Sequence, residues 1–180
     1  MNQKMEIENQ KKRKRQALPI SIKFEEFIGL MKKTRQKDLQ TKVAFLLGFG
    51  AGMRISEIKN LQKQDVDIKA KRIHIKSGKY SKDRIVPLPK GFSDKHLRSI
   101  PIKKTMRSMQ RNFKVAAKKA GLRDELHFHS LRHGFATRLI EKGVPINQVQ
   151  LMLGHSNVAT TSVYIRANPE DALKSYEDLF

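Results

Sequence analysis

The chain has no cysteine among its 180 residues, and it has only 17 acidic residues against 38 lysines and arginines. Without cysteine there is no disulfide bond, thiolate metal ligand or thiol nucleophile, so a covalent catalyst must be Ser, Thr, Lys, Asp, Glu, His or Tyr. Long apolar runs are also missing, because no stretch approaches the ~20 consecutive apolar residues of a membrane span. The first residues are too polar for a secretory signal. We therefore expect a cytoplasmic protein.

The shortage of acids leaves a formal net charge of +21. Such an excess repels itself in a compact fold, which favours a polyanion as the partner, and nucleic acid is the leading candidate. We therefore expect a nucleoid-associated location.

Residues 1–18 are predicted to be a basic flexible arm or linker, and they contain five consecutive cations, Lys11 to Arg15. Such an arm is either a solvated disordered tail or a segment that follows DNA phosphates. Six cations and two acids up to Gln16 account for +4, so +17 remains on the body, predicted as one domain over residues 19–180.

Hydrophobic periodicity predicts a mainly α fold with a small antiparallel β-sheet, an α+β class. Helices are expected from Ser21, from about Asp38 through Leu47, and from near Arg54. The stretch "RIHIKSGKYSKDRIVPLP" alternates apolar and polar residues on both sides of a polar centre. This pattern predicts a β-hairpin with residues 78–83 at its tip.

The stretch "KKTMRSMQRNFKVAAKKAG" is the clearest helix. Its predicted inward face comprises Met106, Met109, Phe113, Ala116 and Ala117. No acid is placed for i,i+4 pairing with the cations on the other face, which favours DNA contact over a merely solvated face. The predicted DNA-binding residues are Lys104, Arg107, Arg111, Lys114 and Lys118.

Six scattered polar residues are unusual in their settings, although each alone has an ordinary structural explanation. His129 and Arg132 are three apart and share a helical face, so both can touch one phosphate. His127, His129 and His133 offer a metal site as an alternative, but the stretch lacks the glutamate of a zinc-peptidase helix.

Four ordered motifs carry a family resemblance: "GMRISEI" from Gly52, "SGKYSKDRIVPL" from Ser77, "HSLRHGFAT" from His129 and "LGHSNVATTSVY" from Leu153. In order and spacing they resemble the signature boxes of the tyrosine recombinases, the phage integrase and Xer group. The resemblance runs from about Pro19 to the C-terminus and implies the catalytic-domain fold of that family.

The resemblance implies that Arg54 and Arg132 clamp the non-bridging oxygens of a scissile DNA phosphate, with Glu57 orienting the clamp. Two fixed guanidinium forks meet the charge that develops in the transition state without a metal ion.

The resemblance also implies a role for four further residues. Tyr164 is the nucleophile, Lys79 protonates the departing 5′ oxygen, His129 assists proton transfer at the tyrosine, and His155 donates a hydrogen bond to the phosphate. Lys82 also lies at the hairpin tip, and Lys79 is preferred because it directly follows Gly78.

The implied activity is site-specific cutting and rejoining of double-stranded DNA through a 3′-phosphotyrosine. That ester conserves the energy of the phosphodiester, so no cofactor is expected, neither metal nor ATP, and the sequence has no Walker-type glycine loop. A catalytically inactive recombinase-derived DNA-binding protein and a type IB topoisomerase are the alternatives.

Most of the family carry a helical core-binding domain before the catalytic domain, whereas only the arm precedes Pro19 here. The chain is therefore either a catalytic fragment or a minimal enzyme, and it should bind DNA weakly with strong salt dependence. Other protomers are expected partners in a synaptic complex. A final helix carries an apolar stripe that packs either on its own domain or on a neighbouring protomer, formed by Leu173, Tyr176, Leu179 and Phe180.

Overall fold

A computed structural model describes residues 20–76 and 83–154 of the chain. These residues form seven α-helices and a three-stranded sheet, which confirms the mainly α class with a small antiparallel sheet. The helices, in chain order, are α1 (Phe24–Lys33), α2 (Leu39–Gly50), α3 (Ile55–Asn60), α4 (Asp94–Arg98), α5 (Met106–Lys119), α6 (His129–Glu141) and α7 (Ile146–Leu153). A 3₁₀ turn, Lys63–Asp65, joins α3 to the sheet.

The strands are β1 (Val66–Asp67), β2 (Arg72–Ile75) and β3 (Arg84–Pro87), paired antiparallel in the order β1-β2-β3. The two arms of the predicted hairpin are confirmed as β2 and β3, while most of its predicted tip lies outside the described residues. Ile73 pairs with Val86 and Ile75 with Arg84. Strand β1 was not predicted, because two residues are too few to show an alternating pattern.

Helix α2 lies at the centre of the main core and is apolar on nearly all sides. It packs against α6, α5 and α1, and Val43, Phe45 and Leu47 are fully buried. The prediction that this helix stops near Leu47 was wrong, because it continues through Gly50. Gly48 and Gly50 are helical here because Leu131 and Pro89 pack closely against them, so tertiary contact outweighs their low helix propensity.

Two further helix details differ from the expectations. Helix α1 begins at Phe24 with Lys23 as its N-cap, so Ser21 does not cap it. In α5, Met109, Phe113, Ala116 and Ala117 are buried as predicted, whereas Met106 is 45% exposed at the first turn. Met106 is the first residue of α5 and lies at the edge of the surface that the rest of the helix covers, so its side chain stays in contact with solvent.

Helices α6 and α7 form a second, smaller core beside the sheet, built from Phe135, Leu139, Val144, Val149, Met152 and Leu153. Helix α7 also packs on β3. It ends at Gly154, which adopts the left-handed conformation with φ +62 that is common for a glycine at the end of a helix. None of the described helices is long and apolar enough to cross a membrane.

Candidate active site

Arg54 lies at the turn between α2 and α3, where it is the N-cap of α3. Gly52 precedes it with φ +62, and a Cβ at that position would lie 2.5 Å from the Phe135 ring, so the turn requires glycine. The guanidinium of Arg54 donates from Nη1 to Glu57 Oε1 at 2.9 Å and from Nη2 to the Gly154 carbonyl at 3.2 Å. Both contacts fix the direction in which the side chain points.

Arg132 lies in the first turn of α6 and is only 6% exposed. Its Nη1 donates to the Gly52 carbonyl at 2.7 Å, and its Nη2 donates to the Leu153 carbonyl. The two clamp arginines predicted from sequence are therefore brought together around the same two backbone segments, the turn before α3 and the end of α7.

The C-terminal end of α7 holds a third arginine, Arg84 of β3, whose Nε donates to the Met152 carbonyl at 2.8 Å. Three consecutive carbonyls, those of Met152, Leu153 and Gly154, thus each accept from a different arginine. Carbonyls in the last turn of a helix have no intrahelical partner and carry the negative end of the helix dipole. The end of α7 is therefore suited to holding cations.

Glu57 is the carboxylate among these arginines, and its side chain is 12% exposed. Arg84 donates to both of its oxygens, at 2.9 and 2.8 Å, while Arg54 donates to Oε1 from its side chain and to Oε2 from its backbone N–H. Burial alone would raise the pKa of Glu57, but the hydrogen bonds from Arg84 and Arg54 outweigh it and hold the pKa below 4.5. Glu57 is ionised at neutral pH.

The sequence reasoning missed Arg84. A signal was present, because alternation along β3 places Arg84 on the same face as Val86, opposite Ile75 and Ile73 of β2. Val86, Ile73 and Ile75 are buried. An arginine on the inward face of a strand needs a buried partner, and Glu57 is that partner.

The site carries more positive than negative charge. Among the residues that the structure describes, three guanidinium groups, those of Arg54, Arg84 and Arg132, surround the single carboxylate of Glu57, which is hydrogen-bonded to the first two. Burial, followed by the charges of Arg54 and Arg84, lowers the pKa of Arg132 to about 9, so the group remains protonated at neutral pH. A cluster with unbalanced cations is a favourable place for an anion.

His129 is the first residue of α6 and is exposed beside this cluster. The partial burial of the His129 ring, followed by the charges of His127, Arg132 and Arg54, lowers the pKa of His129 below 6.5. The imidazole is therefore neutral at pH 7 and able to accept a proton.

The metal-site alternative depended on His127, His129 and His133. The His127 Nδ1 lies 3.0 Å from the Ser130 hydroxyl, and its ring centroid is 6.2 Å from that of His129. Within the described ranges, no group of three His, Asp or Glu side chains is arranged to hold a metal ion.

Three predicted catalytic residues, Lys79, His155 and Tyr164, lie outside the described residues, as do the arm and the final helix. Strands β2 and β3 flank the segment with Lys79, and Gly154 directly precedes His155.

The predicted DNA-binding face belongs to α5. Arg107, Arg111, Lys114 and Lys118 are exposed on this helix. Lys104 precedes the helix, and its Nζ lies 3.1 Å from Oδ2 of Asp38, which is distant in sequence and is the N-cap of α2.

Comparison with known proteins agrees with this fold. The phage integrase family model matches residues 20–100 and 100–171. Tyrosine recombinase XerA of Thermococcus kodakarensis is 35% identical over 182 aligned positions, which cover 89% of this chain and 63% of that protein. A second XerA, from Thermococcus onnurineus, is 34% identical with the same coverage.

Solved structures show the same architecture. A crystal structure of XerA recombinase has a TM-score of 0.65 at 26% identity, covering 90% of this chain and 65% of that one. The lambda integrase catalytic core has a TM-score of 0.60 at 19% identity and is covered over 91% of its length.

The fold is that of the tyrosine recombinase catalytic domains. The chain belongs to the phage integrase family, in which its curated relatives are Xer-type recombinases. It spans just under two thirds of the length of the two XerA relatives, 63% in each case.

Proposed function

We propose that this chain is the catalytic part of a site-specific DNA recombinase, which cuts and rejoins DNA through a 3′-phosphotyrosine at Tyr164. The observation that carries the proposal is the pair of guanidinium groups, Arg54 and Arg132, held by neighbouring carbonyls at the end of α7. A scissile phosphate is the anion that this pair would bind.

The chemistry follows from the charge of a phosphodiester. Its non-bridging oxygens repel a nucleophile, and more negative charge develops on them as the pentacoordinate transition state forms. Preorganised donors such as Arg54 and Arg132 stabilise that charge by about 3 kcal/mol each. Their orientation is fixed before DNA binds, so little reorganisation is needed at the moment of reaction.

Proton transfer is assigned to the remaining residues. The hydroxyl of Tyr164 attacks the phosphorus and loses its proton, and neutral His129 assists that transfer, in agreement with its lowered pKa. Lys79 gives a proton to the 5′ oxygen as its bond to phosphorus breaks, and His155 donates a hydrogen bond to the phosphate. Reversing these steps rejoins the strand without metal or ATP.

Double-stranded DNA is the proposed substrate, and further protomers are the proposed partners in a synaptic complex. The net charge of +21 supports a polyanionic partner. Lambda integrase, which shares the fold at 20% identity, has been solved as a tetramer bound to a Holliday junction. The final helix, with Leu173, Tyr176, Leu179 and Phe180, is the segment proposed to contact a neighbour.

A nicked suicide DNA substrate tests the proposal, because loss of a short strand after cleavage traps the covalent intermediate. We expect the wild-type chain to form an adduct that withstands denaturation, and Tyr164→Phe to form none while retaining DNA binding. Tyr80→Phe, which changes a tyrosine without a proposed role, is the matched control and should still form the adduct. An adduct that persists in Tyr164→Phe would refute the assignment.

Salt-sensitive DNA binding without any adduct would instead support the alternative of a DNA-binding protein without catalytic activity. Relaxation of supercoiled DNA that carries no particular site would support the topoisomerase alternative.

A further inference from the structure

Arg84 is a buried charged residue for which the resemblance supplies no role. Its side chain is 7% exposed, and all three of its donor nitrogens make directed hydrogen bonds of 2.8 or 2.9 Å. Two bonds reach the oxygens of Glu57, and one reaches the Met152 carbonyl. A planar guanidinium held at three points has essentially one position.

Glu57 Oε1 accepts from Arg84 and from Arg54, each at 2.9 Å. The carboxylate is therefore a direct bridge between the two guanidinium groups. We propose that Arg84 is a positioning residue for DNA cleavage, which fixes the Arg54 guanidinium through Glu57. The inference rests on the proposed function, since it assigns Arg84 an effect on the attack at the scissile phosphate.

Without Arg84, Glu57 is held by Arg54 alone. It lies on α3, a helix of only six residues, and its two remaining hydrogen bonds come from the backbone N–H and the guanidinium of Arg54. Because that guanidinium is the group to be oriented, Glu57 needs a support that is independent of Arg54. The fork of Arg84 takes both oxygens and so sets the plane of the carboxylate. The orientation of Arg54 follows from that plane.

Arg84 also has little freedom to move. A Cβ at Gly154 would lie 2.7 Å from Arg84 Cδ and 3.1 Å from its Nε, so the backbone at Gly154 packs directly against the side chain. Its third bond holds the Met152 carbonyl, next to the carbonyls that hold Arg132 and Arg54. Arg84 therefore contacts both supports of the Arg54 guanidinium.

The test compares two suicide substrates under single-turnover conditions with saturating DNA. One carries the ordinary scissile phosphate, and the other carries a methylphosphonate, in which a methyl group replaces one charged oxygen. The neutral methylphosphonate depends less on a positioned guanidinium. If a variant at Arg84 acts through Arg54, it should slow cleavage of the phosphate substrate more than cleavage of the methylphosphonate substrate. General damage to the fold would slow cleavage of both substrates equally.

We expect Arg84→Met to slow adduct formation on the phosphate substrate about 10- to 100-fold, the usual effect of losing a residue that orients a functional group. The DNA dissociation constant should stay within about twofold, since Arg84 does not contact DNA in this scheme. Arg84→Lys keeps the charge but loses the fork, so it should give an intermediate rate with an unfolding midpoint near that of the wild type. The double variant Glu57→Gln/Arg84→Met should form the adduct no more slowly than the slower of the two single variants, because both substitutions act through the position of the Arg54 guanidinium.

Arg72→Met is the matched control. Arg72 belongs to the neighbouring strand β2, and its carboxylate neighbour is Asp67 of β1, 3.8 Å away and outside the site. This variant should react at the wild-type rate on both substrates. Equal slowing of Arg84→Lys on the two substrates, a wild-type rate in Arg84→Met, or additive losses with Glu57→Gln would overturn the role of Arg84. If the wild-type chain forms no adduct at all, both proposals are overturned.

Discussion

At the scale of single residues, the ionisation state of Glu57 bears directly on the stability of the fold. It is a nearly buried carboxylate with four hydrogen bonds from two arginines, and its pKa lies below 4.5. A carboxylate with a lowered pKa stabilises the native state above its unfolded pKa, and this stabilisation is lost as the pH falls through the folded pKa. The relevant window therefore lies below pH 4.5.

We predict that Glu57→Gln lowers the free energy of unfolding by about 2 kcal/mol at pH 7, because Arg84 loses its charged partner in a buried setting. The difference between wild type and variant should shrink as the pH falls from 4.5 through the lower pKa of the folded state, where the wild-type carboxylate takes up its proton. Urea denaturation at several pH values measures both quantities. A difference that stays constant down to acid pH would show that the charge of Glu57 does not stabilise the fold.

At the scale of elements, the end of α7 and the start of β3 are packed together through a glycine. Gly154 has φ +62, and the space that a Cβ would fill is occupied by Arg84. Gly121, which follows α5, has a nearly equal φ of +67 but no atom within 4 Å of the Cβ position. Substitutions at these two glycines therefore distinguish the cost of backbone strain from the cost of a steric clash.

We predict that Gly154→Ala destabilises the chain more than Gly121→Ala, which should cost about 1 kcal/mol from backbone strain alone. Gly154→Ala must in addition displace Arg84, so it should slow adduct formation as Arg84→Met does, whereas Gly121→Ala should leave the rate unchanged. Thermal unfolding and the suicide-substrate assay are the measurements. Equal effects of the two substitutions on both readouts would contradict the close packing at Gly154.

Local patterns predicted the elements better than the contacts between them. Alternation predicted β2 and β3, and the i,i+3 spacing placed His129 and Arg132 on one face. The partners of Arg132 and Arg54, the carbonyls of Leu153 and Gly154, follow 21 and 100 residues later in the chain. No local pattern encodes such a pairing, because it depends on how α7 packs against β3 and α6.

At the scale of the whole molecule, charge dominates. The net charge of +21 repels itself in the free chain. The proposed binding to DNA would offset this charge with phosphates and would release counterions from the DNA. Each phosphate contact adds about 0.9 to the slope of log affinity against log salt. The number of α5 cations that contact DNA phosphates can therefore be measured from the affinity for DNA at a series of salt concentrations.

We predict that the pair Arg107→Ala and Arg111→Ala reduces this slope by about 2 and weakens binding evenly across DNA sequences. Lys69→Ala with Lys142→Ala is the matched control, since both lysines are exposed and lie outside α5. The control pair should leave the slope unchanged. If it lowers the slope as much as the α5 pair does, charge alone, and not the face of α5, governs binding.

The three carbonyls at the end of α7 have a further consequence for how the site responds to motion. Met152, Leu153 and Gly154 belong to a single helical turn, and each holds a different arginine. Fraying of that one turn would withdraw one acceptor from each of Arg84, Arg132 and Arg54 at the same time. Arg132 would keep its bond to the Gly52 carbonyl and Arg54 its bond to Glu57, so the two guanidinium groups proposed to bind the phosphate would be loosened together. Residues 155–180 continue directly from that turn, so their motion reaches both groups through one point of attachment.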